Sequence, residues 1–164
     1  MRAIYYASKY YSSVDVLEDW LTRFSRMNTV AIESCCAEVG MTASEVSVLG
    51  MLSRAGSPLS PTRLQVLVIQ SPGGLTKTLR RLEDAGFVRR LSDAVDRRAL
   101  LVELTAAGRK ASTRAAALVR SHYTQILAGV TEHQRDVLTN LVRRLIDELE
   151  ATSGQRTTVT RRVR

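Results

Sequence analysis

Two Ser-Pro dipeptides, Ser60-Pro61 and Ser71-Pro72, lie only eleven residues apart, and nothing else in the chain constrains its fold so tightly. A serine side chain accepts a hydrogen bond from the free N–H groups of a helix's first turn. Proline at the next position gives nothing up, because its missing N–H would be unpaired there anyway. Two such starts in quick succession leave room for one short helix and a tight turn before the second helix begins. Leu64, Leu67 and Val68 give the first helix its apolar stripe, and a turn falls at Ile69–Gln70. Leu75, Leu79 and Leu82 line one side of the second helix, and Gly86 stops it. The layout is that of a helix-turn-helix.

Two stretches that suit strands follow at once, 87–92 (FVRRLS) and 99–104 (ALLVEL), joined by the polar link Asp93–Arg98. A hairpin placed there is a wing. Upstream, residues 13–38 repeat Leu17, Trp20, Leu21, Phe24, Met27, Ala31 and Ile32 at steps of three and four, the period of an amphipathic helix, with Gly40 beyond its end. Thr42 and Glu45 form a capping box for the next helix, flanked by Met41 and Val46 as a staple; that helix stops near Gly56. Thr105 caps a helix running to about Ala128. Thr131 and Gln134 open a last one carrying Leu138, Leu141, Leu145 and Leu149. The expected organisation is a mainly α (α+β) chain: an N-terminal arm at 1–12 bearing Tyr5, Tyr6, Tyr10 and Tyr11, a dimerisation helix at 13–39, a winged helix-turn-helix at 40–105, dimerisation helices at 106–151, and a basic, disordered tail at 152–164.

Composition agrees. Hydrophobic residues make up 45% but aromatics only 5%, a mixture suited to helices packed on helices. The net charge of +8 points to a polyanionic partner but does not locate it. The tail supplies +4 through Arg156, Arg161, Arg162 and Arg164, and segment 71–98 supplies +3. On a helical wheel of residues 71–86 the leucines share one side, while Gly73, Lys77 and Arg80 fall opposite, flanked by Thr76 and Arg81. A helix seated in the major groove of DNA needs that division, with leucines holding it to the body and cations and small polar groups facing the bases. Beyond the Ser71 cap, Gly73 and Gly74 in the first turn let the backbone approach closely, and the N-terminal N–H groups attract phosphate. In the wing, Asp96, Arg97 and Arg98 form a tip suited to the narrow minor groove, with Asp96 holding Arg98. Alone, the helix cluster is as well explained by a solvated basic face, and the wing tip is better explained by an ordinary polar turn with an exposed ion pair of little worth; their order in the chain favours DNA.

The run LSPTRLQVLVIQSPGGLTKTLRRLEDAGFVRR, then DAVDRRALLVELTAAGR, resembles the MarR family of winged-helix regulators. The Asp96–Arg98 element followed by Leu104-Thr105 and Gly108-Arg109 is its most diagnostic part, and the resemblance spans about residues 14–150. It implies a homodimer built by the first and last two helices, a pseudo-palindromic double-stranded DNA operator, no cofactor, and a repressor released by a small, often aromatic and acidic effector. Ser71, Gly74, Thr76, Lys77 and Arg80 match the family's recognition helix, and Arg98 its wing arginine. Trp20, Phe24, Ser47, Met51, Arg97 and Arg109 are placed to reach the effector pocket. Trp20, Arg97 and Arg109 fit a urate-responsive branch, but Ser47 stands where that branch has an aspartate, which argues against urate. The plainer alternative is that Trp20 and Phe24 are dimer core and Arg109 a structural ion-pair member.

Other readings are weaker. The adjacent Cys35 and Cys36 raise a thiol-oxidation switch on the same fold, but Glu33 and Glu38 nearby would disfavour a thiolate. Neighbouring cysteines in a helix make no unstrained disulfide, and a reduced, cytoplasmic setting follows. His122 and His133 lack ligand-spaced partners, so no metal site is expected. No apolar stretch is long enough to span a membrane. No phosphate-binding loop, dinucleotide fingerprint, nucleophile elbow or paired carboxylates mark an enzyme. A basic helical adaptor binding RNA or acidic protein would have no use for the hairpin tip.

Overall fold

The computed structural model describes residues 12–92 and 100–152. The elements run α1 (Ser13–Ala37), α2 (Ala43–Ala55), α3 (Pro61–Val68), α4 (Pro72–Asp84), β1 (Val88–Ser92), β2 (Leu100–Leu104), α5 (Ala106–Ile126) and α6 (Glu132–Thr152). The fold is mainly α, six helices with one two-stranded antiparallel sheet, as the periodicity predicts. The Tyr-bearing arm, the link with Asp96, Arg97 and Arg98, and the arginine-rich tail lie outside the described residues.

Local chemistry sets the helix starts. Ser60 Oγ accepts from Arg63 N at 3.2 Å and Ser71 Oγ from Gly74 N at 3.2 Å, so Ser60-Pro61 and Ser71-Pro72 cap as expected. The Thr42–Glu45 box is reciprocal, with Thr42 N donating to Glu45 Oε2 at 2.7 Å and Glu45 N to Thr42 Oγ1 at 3.2 Å. A box not anticipated from sequence opens α1, where Ser12 and Asp15 exchange the same two bonds. Helix α2 ends on Gly56 at φ 65°, a left-handed position glycine takes without steric penalty. Helix α3 ends on Ile69 at φ 51°, where a β-branched side chain is strained.

The core belongs to the middle of the chain. Val48, Leu49 and Leu52 of α2 meet Leu64 of α3, Leu75, Leu79 and Leu82 of α4, Val88, Val102 and Leu104 of the hairpin, and Ala115 of α5. Each buried leucine stabilises the fold by roughly 1.5–3 kcal/mol, so the three on α4 suffice to hold that helix to the body. The hairpin register pairs Val88 with Leu104 and Ser92 with Leu100. A bridge not foreseen from sequence ties Leu59 to Val102 by two backbone bonds of 3.0 and 2.8 Å, fastening the entry of α3 to β2.

The join between hairpin and α5 is equally tight. Thr105 Oγ1 donates to Gly86 O at 2.7 Å while accepting from Gly108 N at 3.0 Å, and Thr105 N donates to Phe87 O at 3.0 Å. Gly108 is buried here, and only glycine fits, because a Cβ on it would sit 1.9 Å from Phe87 O. One threonine and one glycine thus lock the start of α5 onto the turn after α4.

The outer helices are the opposite. The C-terminal half of α1 packs on α5, where Asn28 Nδ2 donates to Tyr123 Oη at 3.1 Å. Along α1, Val14, Leu17, Trp20, Leu21, Phe24, Met27 and Val30 stay exposed. Helix α6 buries none of its residues and exposes Val137, Leu138, Leu141, Val142, Leu145, Ile146 and Leu149.

Candidate nucleic-acid interface

Helix α4 divides its residues as a groove-reading helix must. Leu75, Thr78, Leu79 and Leu82 are buried, and Ser71, Gly73, Gly74, Thr76, Lys77 and Arg80 are exposed. Thr78 Oγ1 is tied back to Gly74 O at 3.0 Å, and Thr76 Oγ1 to Pro72 O at 2.9 Å. No described residue forms an ion pair with Lys77 or Arg80, so both charges face solvent. A Cβ on Gly73 would meet nothing within 4 Å, which leaves that backbone open to a ligand.

Arg81 differs. Its Nε lies 3.0 Å from Glu45 Oε1 on α2, across the helix-turn-helix. The capping box identified Glu45 in the sequence, but nothing local shows that its second oxygen reaches a residue thirty-six positions on. Arg90 pairs with Glu83 at 3.1 Å, and Arg89 with Glu103 across the hairpin, so these cations stiffen the wing's base. Of the wing tip, Asp96, Arg97 and Arg98, nothing is described.

The residues expected at an effector pocket are not gathered into one cavity by the single chain. Trp20 and Phe24 are exposed on α1, Ser47 is exposed on α2, and Met51 packs against the core. Arg109 donates from Nη1 to Leu104 O at 2.9 Å and walls a cleft of about 140 Å³ with Ser53, Ser57 and Glu103. A larger groove of about 580 Å³ runs between α2 and α5, lined by Ser53, Ser112, Ala116, Arg120 and Ser121 among others. Sequence reasoning missed it, because its small residues carry no signal until two helices face each other. Cys36 is buried, and its thiol is pushed above the ordinary range first by burial, then by Cys35 and Glu33. That is the opposite of a reactive thiolate. Among the described residues no group of three metal-ligating side chains converges, and no described helix is long and apolar enough to cross a membrane.

Comparison with known proteins agrees with this geometry. Residues 39–99 match the family model described as the MarR family. The transcriptional repressor Rv2887 of Mycobacterium tuberculosis, an HTH-type protein, is 32% identical over 114 residues, 70% of this chain and 81% of the relative. The chain belongs to the MarR family. The crystal structure of Rv2887 in complex with p-aminosalicylic acid superposes with a TM-score of 0.63 at 32% identity, over 79% of this chain and 97% of that one. A mutant of Escherichia coli MarR in complex with operator DNA superposes with a TM-score of 0.71 at 22% identity, over 80% and 94% of the two chains, and shows the shared fold. As a MarR-family transcriptional regulator, the chain presents α4 as its recognition-helix candidate and β1–β2 as the stem of its wing.

Proposed function

We propose that the protein is a homodimeric repressor that reads a pseudo-palindromic operator, one α4 and one wing per half-site. The observation that carries this is the face of α4: Lys77 and Arg80, in no ion pair with any described residue, beside an open glycine turn on a helix held from behind by three buried leucines. Arg80 is suited to a bidentate contact with guanine, worth roughly 1–3 kcal/mol of discrimination. Ser71, Gly73, Gly74 and Thr76 line the same exposed side. Arg98, with Asp96 and Arg97, is assigned to the minor groove by its place in the hairpin link.

The exposed apolar faces of α1 and α6 support the dimer. Helices in proteins owe most of their stability to packing an amphipathic face, yet α6 has no buried residue in the single chain, and an apolar stripe of this size marks an interface. Trp20 and Phe24 are assigned to that interface. The repressor sense and a small aromatic acid effector are supported by the repressor Rv2887 and its complex with p-aminosalicylic acid. The α2–α5 groove offers such an acid Arg120 for its carboxylate and Ser53, Ser112 and Ser121 as hydrogen-bonding partners, with Arg109 in the neighbouring cleft.

Selection from a random duplex pool, followed by binding measurements across salt, tests the reading. One palindromic site should be bound far better than random DNA, with log affinity falling linearly with log salt. Arg80→Ala should relax base preference at one position per half-site, and Arg98→Ala should weaken binding with little change in major-groove preference. Equal affinity for every duplex, or operator binding untouched by both changes, would overturn it.

A further inference from the structure

We propose that Glu45 is a positioning residue for the DNA-reading helix, acting through Arg81, and that Arg81 anchors α4 instead of touching DNA. The proposal rests on the reading of α4 as the helix that enters the groove.

The side chain of Glu45 is only 7% exposed, and both of its oxygens are engaged: Oε2 accepts from Thr42 N at 2.7 Å, and Oε1 lies 3.0 Å from Arg81 Nε. Arg81 is 55% exposed, but its Nε is turned inward across the flank of α4. A carboxylate with so little water relies on its cation, because removing one partner strands a buried charge. This ion pair is also the directional link the structure describes between the side of α4 and the rigid start of α2. The leucine face does not do the same job. Burial of Leu75, Leu79 and Leu82 fixes how deep α4 sits, but the hydrophobic effect is non-directional and resists a small roll weakly.

Roll matters for base reading. Side chains reach about 5–6 Å from a helix axis, so a roll of about 10° moves their ends by about 1 Å. A bidentate contact has to be held within about 0.5 Å. Arg80 is next to Arg81 in the chain and Lys77 is one turn before it, so a tie at Arg81 sets the azimuth of both. Glu45, though it faces no base, would thereby decide how well Arg80 meets one.

Electrostatics alone gives the opposite sign, which makes the idea testable. Glu45→Gln removes a negative charge from the DNA-binding lobe and should, by charge alone, tighten binding to every duplex. As a positioning residue it should loosen operator binding instead. The experiment measures fluorescence anisotropy of the full-length protein with the selected operator duplex and with a random duplex of equal length, over a range of salt. Glu45→Gln and Arg81→Gln should each lower the operator-over-random preference roughly ten-fold, within the range coupled pairs show, and the double variant should be no worse than either. The salt slope of Arg81→Gln should match wild type. If Arg81→Gln flattens that slope by about one and weakens operator and random binding alike, Arg81 is a phosphate contact and the proposal fails. It also fails if Glu45→Gln tightens both duplexes or leaves the preference unchanged.

Folding does not blur the result. In Glu45→Gln the new amide oxygen can still accept the Thr42 N–H, Arg81 is half exposed, and affinities are compared below the unfolding midpoints of all variants. Lys77→Ala and Arg80→Ala separate this inference from the reading it rests on. If they leave operator binding intact, α4 is not the reader. If they abolish the preference while Glu45→Gln does not, only the inference is lost.

Discussion

Gly108→Ala should destabilise the protein far more than a methyl group on a helix normally does. The added Cβ would lie 1.9 Å from Phe87 O and 2.8 Å from Phe87 C, both backbone atoms that no rotamer change can move. Ordinary carbon–oxygen contacts need more than about 3 Å, so α5 and the α4–β1 turn would have to part by roughly 1 Å or more. That separation breaks the bonds from Thr105 N to Phe87 O and from Thr105 Oγ1 to Gly86 O. Two hydrogen bonds contribute about 1 kcal/mol each, and overpacking adds about 1–3 kcal/mol. Alanine's better helix propensity returns about 1 kcal/mol. The net loss is about 2–4 kcal/mol, a large part of a typical domain's stability. Urea titration followed by circular dichroism at fixed protein concentration measures it as a lower midpoint at unchanged slope. Gly73→Ala is the control: with nothing within 4 Å of its Cβ, it should be neutral or mildly stabilising. A Gly108→Ala protein within about 0.5 kcal/mol of wild type (the noise of such comparisons) would refute the reasoning.

Ile69→Gly should raise stability by about 0.5–1 kcal/mol, since the left-handed strain removed exceeds glycine's entropy penalty and an 87% exposed side chain loses little packing; a lower urea midpoint would contradict this. Leu141→Glu with Leu145→Glu, both on the exposed stripe of α6, should turn the proposed dimer into a monomer in sedimentation and abolish operator binding; an intact dimer would remove α6 from the interface. Cys36 should be alkylated by iodoacetamide at about pH 8, near the ordinary thiol pKa, well after Cys35, because its buried thiol holds its proton. The same proton makes stability fall at alkaline pH. Above the ordinary thiol value the unfolded chain has released it and the native chain has not, so wild type should lose more stability than Cys36→Ala as pH rises toward the native value.

Much of this was legible because caps and turns are local. Ser60, Ser71, Thr42, Thr105 and Thr131 each bond a group three residues away, and that chemistry needs no tertiary context. The two-faced pattern of α4 was legible for the same reason, since its leucines announce which side is buried. The residues expected at an effector pocket are the opposite case. The resemblance alone places Trp20, Phe24 and Ser47 at a pocket, whereas the single chain leaves them exposed and opens its larger groove along Ser53, Ser112 and Arg120. A groove depends on how two helices cross, which no period along one helix encodes.

The two Ser-Pro starts therefore determined by themselves that a short helix, a turn and a second, basic-faced helix would stand in sequence, because each cap acts within one helical turn. Only the tertiary structure decided how that second helix is held. The meeting of Arg81 with Glu45, of Leu59 with Val102, and of Gly108 with the Phe87 carbonyl are all contacts between elements. Their distances are set by packing and not by chain order. The local pattern thus specified a basic-faced second helix, and the packing around it set the angle at which that face looks outward.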